Sequence, residues 1–539
     1  MRRKDRIVSL TVAAVLFVVA VGFGIAWDMG AFDSRRTPPT EAISPSVWAA
    51  DAASNTLVTN PTADLTSDQI AFLRQTADRT WNFLSGPDLD PATHLPLDSL
   101  PITSAPGANV TLAAPAAAQE YTNPALIGTY LSAIVAAKDT GAASASTAEA
   151  DAAATLGEIQ RLAKYDGFLF RWYSTKTGEA LKSPKGAPIT NGYVSTVDNG
   201  WYAQGLLVVE GAFPQLASEC NSLLGAMQWQ LLFDKADNVL YNGYQVGGTY
   251  SKSTYDNAYS GPRIAYYMAI GSGKVPGSLW WGVNRTPPAS HLQRQTPQGQ
   301  ESTYMDPQSR QAYSLYEGHY VYDEIKFVPT FNGSLYQALA PNLTFPEQTL
   351  APTSLGLNDR NTALAQGAYG SLNGSPVWGW APATSPGVKM RYTNYGVPDL
   401  ASEQAKINTS VVTPYAAFLA LPVIPAQADA DISQIMTDYP SIYTQYGFLD
   451  SVNITNSEVA ARYMTVSQIT ILMAIDDAID GDQLQKYVSG SSYVQTLAPY
   501  MSMEQYSIQG IDLAAGPATA QPPVQPMPTR TRTRRVRKT

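Results

Sequence analysis

The sequence predicts a mainly α-helical protein in which helical hairpins form a ring and the loops between them gather at one mouth. Two observations lead to this fold class. Amphipathic helical patterns follow one another along the chain without a regular βαβ alternation, which disfavours a doubly wound sheet. Long segments rich in Gly, Pro, Tyr and Trp separate these patterns, and long loops in a compact domain usually carry function.

The first element along the chain is a long apolar segment behind a basic cluster. Residues 2–6 read Arg-Arg-Lys-Asp-Arg, and the 21 residues at 7–27 carry no charge. A helix of that length measures about 31 Å, close to the ~30 Å hydrocarbon core of a bilayer. The pattern predicts a cytoplasmic stub at 1–6, a transmembrane signal anchor at 7–27 and an extracytoplasmic, membrane-anchored location for the rest. A cleaved signal peptide is the alternative; the length of the segment and the lack of a clean cleavage site disfavour it.

Low-complexity segments flank the predicted folded domain at residues 63–510. Residues 28–62 are rich in Ser, Thr, Pro and Ala, which predicts a flexible spacer. Residues 511–539 are predicted to be a disordered Pro/Ala linker and basic tail, the latter containing Arg530, Arg532, Arg534, Arg535, Arg537 and Lys538. Attraction to an anionic surface, such as lipid headgroups, is the functional interpretation of the tail.

Helical periodicity begins at the start of the folded domain. Thr66 can cap a helix in which Ile70, Leu73 and Trp81 recur at helical spacing. Further helical patterns cover residues 124–138, 146–162, 200–211, 215–233, 262–271, 333–340, 410–421, 428–437, 457–477 and 493–501. The long loops between them are predicted at 166–199, 238–261, 272–330 and 341–409.

Composition narrows the choice of ligand. The formal charge is −9 and the basic residues concentrate at the two ends, so nucleic acid is not expected as a partner. Low charge with 31 tyrosines and 10 tryptophans suits a neutral, hydroxyl-rich ligand such as a polysaccharide or oligosaccharide. One cysteine, Cys220, excludes an internal disulfide framework. The three histidines have no metal-ligand spacing, and neither a Gly-x-Ser-x-Gly elbow nor a phosphate loop occurs, so we expect no metal site and no cofactor. No EF-hand loop occurs either, and calcium held by loop oxygens stays open as an alternative.

Six short segments stand out in order between about residues 65 and 490. They are Thr122–Gly128, Gly167–Thr175 with Val194–Gly200, Pro262–Gly271, Val328–Leu335, Tyr395–Leu400 and Val411–Ala416. Together they resemble the glycoamylase-like family, which includes bacterial endo-β-1,2-glucanases and relatives of cyclic glucan-processing domains. A related toroidal domain of unknown function in bacterial envelope proteins is a second resemblance. The first resemblance implies an (α/α)6 toroid and hydrolysis of glycosidic bonds in a polysaccharide.

Candidate catalytic residues are carboxylates in the predicted loops. Glycoside hydrolysis uses two carboxyl groups, of which one protonates the leaving oxygen and the other activates water or attacks the sugar. Asp198 lies within the segment that matches the family most strongly; helix capping is its alternative role. Asp256 lies among tyrosines, with an Asx-turn as the alternative. Asp323 and Glu324 are adjacent, so at most one of them faces a cleft, and Lys326 can neutralise the pair. The predicted catalytic pair is Asp198 with one of these three.

Aromatic rings in or beside the loops can stack on sugar faces. The predicted substrate-binding residues are Trp172, Tyr173, Trp201, Tyr255, Tyr259, Arg263, Trp378 and Trp380. Core packing is the alternative for part of the aromatic set, and a structural ion pair is the alternative for Arg263.

Three positions depart from the family pattern. The family commonly carries a glutamate where this chain has Gly261, a glutamate where it has Gln337, and an aspartate where it has Ser467. A glutamine cannot donate a proton as a carboxylic acid does. Two hypotheses stay open: other carboxylates perform hydrolysis, or the protein binds or scaffolds glycan without cutting it. A polysaccharide lyase is a third, weaker hypothesis, because a cationic groove for uronate does not fit an acidic domain.

Overall fold

The computed structural model describes residues 45–114, 119–288, 293–387, 389–403 and 406–512. Helices dominate this part of the chain. They are α1 Pro45–Ala53, α2 Ser67–Leu84, α3 Pro124–Asp139, α4 Ala145–Arg161, α5 Thr196–Ala212, α6 Ala217–Ala226, α7 Arg263–Gly271, α8 Leu335–Leu339, α9 Glu347–Leu350, α10 Leu355–Leu372, α11 Pro414–Ala420, α12 Pro425–Asp438, α13 Thr465–Asp480, α14 Gln483–Ser489 and α15 Ser492–Met503.

Short strands in the loops form small antiparallel sheets. They are β1 Ser99–Pro101, β2 Tyr121–Thr122, β3 Lys164–Tyr165, β4 Phe168–Leu169, β5 Tyr173–Ser174, β6 Tyr193–Ser195, β7 Phe233–Asp234, β8 Val239–Tyr241, β9 Gly243–Gln245, β10 Thr249–Tyr250, β11 Thr254–Tyr255, β12 Gln298–Met305, β13 Ala312–Tyr322, β14 Ile325–Phe327, β15 Ala383–Thr384, β16 Tyr392–Thr393, β17 Val411–Val412, β18 Tyr443–Thr444, β19 Gly447–Phe448, β20 Val452–Asn453, β21 Glu458–Val459 and β22 Arg462–Met464. The sheet orders are β1-β22, β2-β5, β3-β4, β6-β9-β10, β7-β8-β11, β12-β13-β14, β15-β16, β17-β20-β21 and β18-β19.

The six helices α3, α5, α7, α8, α11 and α13 form a closed inner ring. In this order each helix contacts the next, and α13 returns to α3; between α7 and α8 the link is made by Arg263, whose guanidinium donates to two backbone carbonyls of α8. Other helices pack around the outside, with α2 against α13, α4 against α3, α6 against α5, α10 against α8 and α12 against α11. The predicted mainly helical ring of hairpins is confirmed.

The inner helices are buried on nearly every side, as expected for helices enclosed by a second layer. The α3–α5 contact is the closest, because both helices present a glycine to it. A Cβ added at Gly128 would overlap the Trp201 carbonyl, and one added at Gly205 would overlap the backbone of Gly128. The two backbones therefore touch where a side chain would separate them.

We expect Gly128→Ala to lower the free energy of unfolding by about 1–3 kcal/mol, because the added methyl group forces α3 and α5 apart. Urea unfolding followed by circular dichroism measures this loss. Gly157→Ala on the outer helix α4 is the control, since an added Cβ there meets no atom within 4 Å. Equal stability of the two variants would contradict the close-contact explanation.

Helix α10 lies within residues 341–409, which the sequence analysis predicted to be a loop, and that prediction was wrong there. Its interior polar residues are buried and bind the backbone of neighbouring segments. Asn358 accepts from the Val328 amide and donates to the Val328 carbonyl, at 2.7 and 3.0 Å. Gln366 bonds both the N–H and the C=O of Trp380. Polar residues that face the protein interior give no apolar stripe for a sequence pattern to detect.

Other predicted boundaries of helices and loops differ from those in the structure because of local features. The helix predicted at 457–477 begins at Thr465, because the preceding residues form β21 and β22. The helix predicted at 215–233 ends at Ala226, and a 3-10 turn follows it. The predicted loop 272–330 contains the long β12–β13 hairpin.

The predicted spacer 28–62 was wrong over residues 45–53, which form helix α1. Trp48 is 2% exposed and fills the space above Gly367 of α10, and its indole donates to the Ser371 hydroxyl at 3.0 Å. The rest of the spacer before residue 45, the stub at 1–6 and the predicted anchor at 7–27 lie outside the described residues, as do residues 513–539 of the tail. Among the residues that are described, no helix is long and apolar enough to cross a membrane.

Candidate active site

The amino-terminal ends of the inner helices meet at one face of the ring, which we call the mouth. Short strands run directly into several of these helices: β2 into α3, β6 into α5, β17 into α11 and β22 into α13. Tyr336 in the first turn of α8 connects two of the others, because its ring centroid lies 6.3 Å from that of Trp201 in α5 and 6.0 Å from that of Tyr415 in α11. The positive ends of several helix dipoles therefore surround the mouth.

Asp198 stands in the first turn of α5 and is 2% exposed. Burial raises the pKa of its carboxyl group, while the Arg171 charge and the Ser195 hydroxyl oppose that rise. Its Oδ1 atom has no hydrogen-bond partner among the described residues. Capping does not explain this residue, since the helix begins at Thr196 and Ser195 is the capping position. A buried carboxylate oxygen without a partner is suited to bind a ligand or a water molecule.

Asp98 was not predicted, and it occupies the opposite part of the mouth, between α3 and α13. Its Oδ2 accepts a 2.9 Å hydrogen bond from the Tyr121 hydroxyl, and its carbonyl accepts from the Thr465 amide at the start of α13. Burial raises the pKa of Asp98 to about 7, and the hydrogen bond from Tyr121 and the charge of Arg462 limit the rise. The acid form of Asp98 therefore persists to a higher pH than that of an ordinary aspartate.

Asp450 lies beside Asp98 and was also not predicted. It is fully buried, and its Oδ1 accepts a 2.6 Å hydrogen bond from the Ser467 hydroxyl. The Thr384 amide donates to Oδ2. Burial raises the pKa of Asp450, opposed by these hydrogen bonds and by Arg462. Ser467 is a position where the family resemblance expects an aspartate, so another segment supplies a carboxylate at that point of the mouth.

Tyrosine rings occupy the space between Asp198 and the Asp98–Asp450 pair. Burial and the charge of Asp198 raise the pKa of Tyr336. Tyr392 of β16 has a raised pKa because of burial and because Asp450, Tyr336 and Asp98 surround it. Through Tyr336 and Tyr392, a chain of neighbouring side chains therefore connects Asp198 with Asp98 and Asp450.

Four of the predicted site residues gather at the mouth: Asp198, Trp172, Trp201 and Tyr255. Burial and Asp198 raise the pKa of Tyr255. The ring of Trp172 stands edge-on to Tyr121 with centroids 5.4 Å apart, and the Arg171 guanidinium lies 5.3 Å from its centroid. Trp201 is 1% exposed and contacts Tyr336.

Arg263 and Tyr259 are placed in a buried structural network instead, which corrects their prediction as substrate-binding residues. Arg263 is 3% exposed, and its Nε and Nη2 atoms donate to the two carboxylate oxygens of Glu347 at 2.8 and 2.7 Å. The Tyr259 hydroxyl donates to Asp359 Oδ1 at 2.6 Å. The donors of Arg263 and the Tyr259 hydroxyl are therefore used by protein carboxylates and backbone carbonyls.

Tyr173, Trp378 and Trp380 are also packed into the protein. The Tyr173 hydroxyl donates to the Ala163 carbonyl and accepts from the Phe170 amide. The Trp380 indole donates to the Thr409 carbonyl at 2.8 Å, and Trp378 packs edge-on to Trp48 at 6.2 Å. These contacts hold the three rings against the protein itself, so the alternative of core packing fits them, whereas the Trp201 indole N–H has no hydrogen-bond partner among the described residues.

Asp323 and Glu324 form the two-residue turn of the β13–β14 hairpin, with left-handed φ values of 47° and 66°. The turn lies beside the C-terminal segment, since the Asp512 amide donates to the Glu324 carbonyl and β14 contacts α1 and α10 outside the ring. Their predicted catalytic role is therefore corrected to a turn role. Asp256 follows Tyr255, and its charge acts on Tyr266; its pairing with Asp198 stays a prediction.

Among the described residues, no group of three or more His, Cys, Asp or Glu side chains is placed so that it could hold a metal ion. Cys220 is buried, which raises the pKa of its thiol to about 12. His319 is also buried, and its Nδ1 bonds the Ser507 hydroxyl at 2.7 Å.

Comparison with known proteins agrees with this architecture. Residues 253–492 match the family model described as "Putative glucoamylase". A solved structure with the same description, from Bacteroides caccae ATCC 43185, is 18% identical, with a TM-score of 0.63 over 80% of this chain and 98% of that one. The resemblance to the glycoamylase-like family is confirmed.

Two further similar proteins carry descriptions that name β-1,2-glucan. An endo-β-1,2-glucanase from Chitinophaga pinensis, solved with sophorotriose and glucose, is 16% identical, with a TM-score of 0.62 over 81% of this chain and 98% of that one. The cyclic β-(1,2)-glucan synthase NdvB of Rhizobium meliloti (strain 1021) is 30% identical over 168 residues. That match covers 30% of this chain and 5% of the synthase, so the chain spans a small part of that relative. At these identities the structural likeness establishes the glycoamylase-like fold alone.

The remaining departures from the glycoamylase-like pattern are neighbours in space. A Cβ added at Gly261 would lie 3.9 Å from Cα of Gln337, with no closer atom. Gln337 is 4% exposed, and its Oε1 has no hydrogen-bond partner among the described residues. This part of the ring therefore offers a neutral amide where the resemblance expects acids.

Proposed function

We propose that this protein is a glycoside hydrolase that cleaves β-glucan, with β-1,2-linked glucan as the first substrate to test. The observation that carries the proposal is the group of buried carboxylates at the mouth, one of which has a pKa of about 7. Two carboxyl groups with different protonation are what glycoside hydrolysis requires. The choice of linkage is supported by the β-1,2-glucanase and the β-(1,2)-glucan synthase among the relatives.

In this proposal Asp98 is the general acid and Asp198 is the general base. Asp98 transfers its proton to the glycosidic oxygen as the bond between that oxygen and C1 breaks. Asp198, held beside the positive charge of Arg171, takes a proton from the water whose oxygen bonds to C1. The products are two shorter glucans, one with a new reducing end, and solvent returns the protons to their starting groups.

The rings at the mouth would hold the sugar during this reaction. Trp172 lies between β4 and β5, Trp201 in α5 and Tyr336 in α8. Trp172 contacts Arg171, whose charge acts on Asp198, and Trp201 contacts Tyr336, on whose pKa Asp198 acts. Flat aromatic faces bind the apolar faces of sugar rings, while the tyrosine hydroxyls can bond sugar hydroxyls.

The direct test is release of new reducing ends by the full chain, purified in detergent, from β-1,2-glucan, β-1,3-glucan and α-linked glucan. We expect release from the β-1,2-linked polymer first. Absence of release from every glucan would contradict a hydrolase.

A non-catalytic glycan-binding protein on the same fold is the second candidate, and the neutral positions Gly261 and Gln337 favour it. Titration calorimetry separates the two candidates. Binding of β-1,2-glucan without any release of reducing ends would support the second, and we would expect Trp201→Ala to weaken that binding.

We also propose that the protein is anchored to a membrane with its folded domain on the extracytoplasmic side. The support is the basic cluster at 2–6 before the uncharged segment 7–27. Near the two ends of the described chain, residues 55 and 510 lie together, since the Gly510 amide donates to the Asn55 side chain at 2.9 Å. Protease added to spheroplasts, whose outer envelope layers have been opened, should degrade the domain; full protection there would contradict this orientation.

A further inference from the structure

Four tyrosines form a continuous row on the surface strands near the mouth. The centroids of Tyr165 and Tyr244 are 5.8 Å apart, those of Tyr244 and Tyr250 are 5.0 Å apart, and those of Tyr250 and Tyr241 are 4.5 Å apart. Tyr250 is 43% exposed, and Tyr165 and Tyr241 are half-buried. We call these four residues the tyrosine row.

Stabilisation of a hairpin explains only part of the row. Tyr244 and Tyr250 face each other across β9 and β10, and such cross-strand aromatic pairs stabilise antiparallel strands. Tyr165 and Tyr241, however, belong to two other sheets, β3-β4 and β7-β8-β11. Side chains from three separate sheets therefore converge on one partly exposed aromatic surface, in which Tyr244 is 8% exposed and the other three rings reach solvent, and such a surface marks a candidate binding site.

The tyrosine row is continuous with the mouth. Strand β9 pairs with β6, and β6 runs into α5, which carries Asp198. Tyr244 lies opposite Val194, four residues before Asp198, so the two are separated by at most about 20 Å. Tyr193 lies between the two, because both the Asp198 charge and Ser251, the neighbour of Tyr250, are close enough to act on the pKa of its hydroxyl.

The chemistry around the row favours a neutral sugar chain. Asp234 and Asp237 lie close to the Tyr241 ring, and Asp166 lies close to the Tyr165 ring. These carboxylates can accept hydrogen bonds from sugar hydroxyls, and their charge repels a polyanion.

From this placement we infer that the tyrosine row is a second binding surface that holds a neutral glucan chain whose reacting part occupies the mouth. The inference rests on the proposed function for its substrate. A long polymer would contact both the mouth and the row, whereas a short oligosaccharide would contact the mouth alone.

The test compares Tyr250→Ala with Tyr316→Ala in the full chain. Tyr316 is a matched control, since it is 40% exposed on the β12–β13 hairpin, away from the row. The readout is kcat/KM on long β-1,2-glucan divided by kcat/KM on a short β-1,2-linked oligosaccharide. We expect Tyr250→Ala to lower this ratio about five- to tenfold and Tyr250→Phe to restore it. An unchanged ratio, or an equal fall with Tyr316→Ala, would overturn the inference while leaving hydrolysis at the mouth intact.

A binding experiment distinguishes failure of this inference from failure of the proposed hydrolase function. In a native gel that contains β-1,2-glucan, the chain should be retarded, and Tyr250→Ala should reduce the retardation more than Tyr316→Ala does. If the chain hydrolyses no glucan but shows this pattern, the proposed hydrolase fails and the binding surface stands. If no glucan retards the chain, the binding surface fails.

Discussion

Replacing Asp98 by Asn is expected to lower kcat on β-1,2-glucan by about 100- to 10,000-fold, because an amide cannot protonate the leaving oxygen. In the unaltered protein the acid form of Asp98 is required and its pKa is about 7, so kcat/KM should fall as the pH rises through about 7. Reducing-end release measured from about pH 5 to 9 gives both the loss of kcat in the variant and the pH dependence of kcat/KM in the unaltered protein.

Tyr121→Phe distinguishes this role from a structural one. The Tyr121 hydroxyl bonds the Asp98 carboxylate and thereby lowers its pKa. Loss of that bond should raise the pKa, so the alkaline fall in kcat/KM should move to higher pH while the enzyme stays active. A pH profile that does not move in Tyr121→Phe would contradict Asp98 as the acid.

Glu347→Ala is expected to lower the free energy of unfolding by about 3–5 kcal/mol, because it leaves the Arg263 guanidinium buried without its carboxylate partner. Arg263 is 3% exposed and Glu347 is fully buried. Asp359 lies 3.5 Å from the same guanidinium, and burial together with Glu347 raises its pKa. Once Glu347 is absent, ionisation of Asp359 can replace part of the lost pairing, which favours the lower end of this range.

The surface pair Arg74–Asp480 provides the control for this measurement. Its atoms are 2.9 Å apart and Arg74 is 44% exposed, so Arg74→Ala should cost no more than about 1 kcal/mol. Urea unfolding midpoints compare the two variants. A loss below about 1 kcal/mol for Glu347→Ala would show that the buried network does not hold α7 in place.

Helices with a clear apolar stripe could be predicted from the sequence, and α2, α3 and α4 lie close to where periodicity placed them. Helix α10 could not, because its buried Asn358 and Gln366 bond distant backbone rather than solvent. Whether a polar residue is buried depends on its tertiary partners, and a local pattern does not contain them.

The residues at the mouth were also only partly predictable, because a local sequence pattern does not contain their tertiary partners. Asp198 could be found because it lies within a recognisable segment at a helix start. Asp98 and Asp450 acquire their surroundings from Tyr121, Arg462 and Ser467, which ring closure brings to them from distant parts of the chain. Arg263 was misassigned for the same reason, since its partner Glu347 follows 84 residues later.

The most direct test of the account compares Asp198→Asn with Asp68→Asn. Both aspartates lie in the first turn of a helix, but Asp198 is buried at the mouth and Asp68 is exposed on the outer helix α2. Reducing-end release from β-1,2-glucan should fall by about 100- to 10,000-fold in Asp198→Asn and stay at the unaltered rate in Asp68→Asn. If Asp198→Asn folds and cleaves β-1,2-glucan at the unaltered rate, the assignment of the mouth as a hydrolytic site is contradicted.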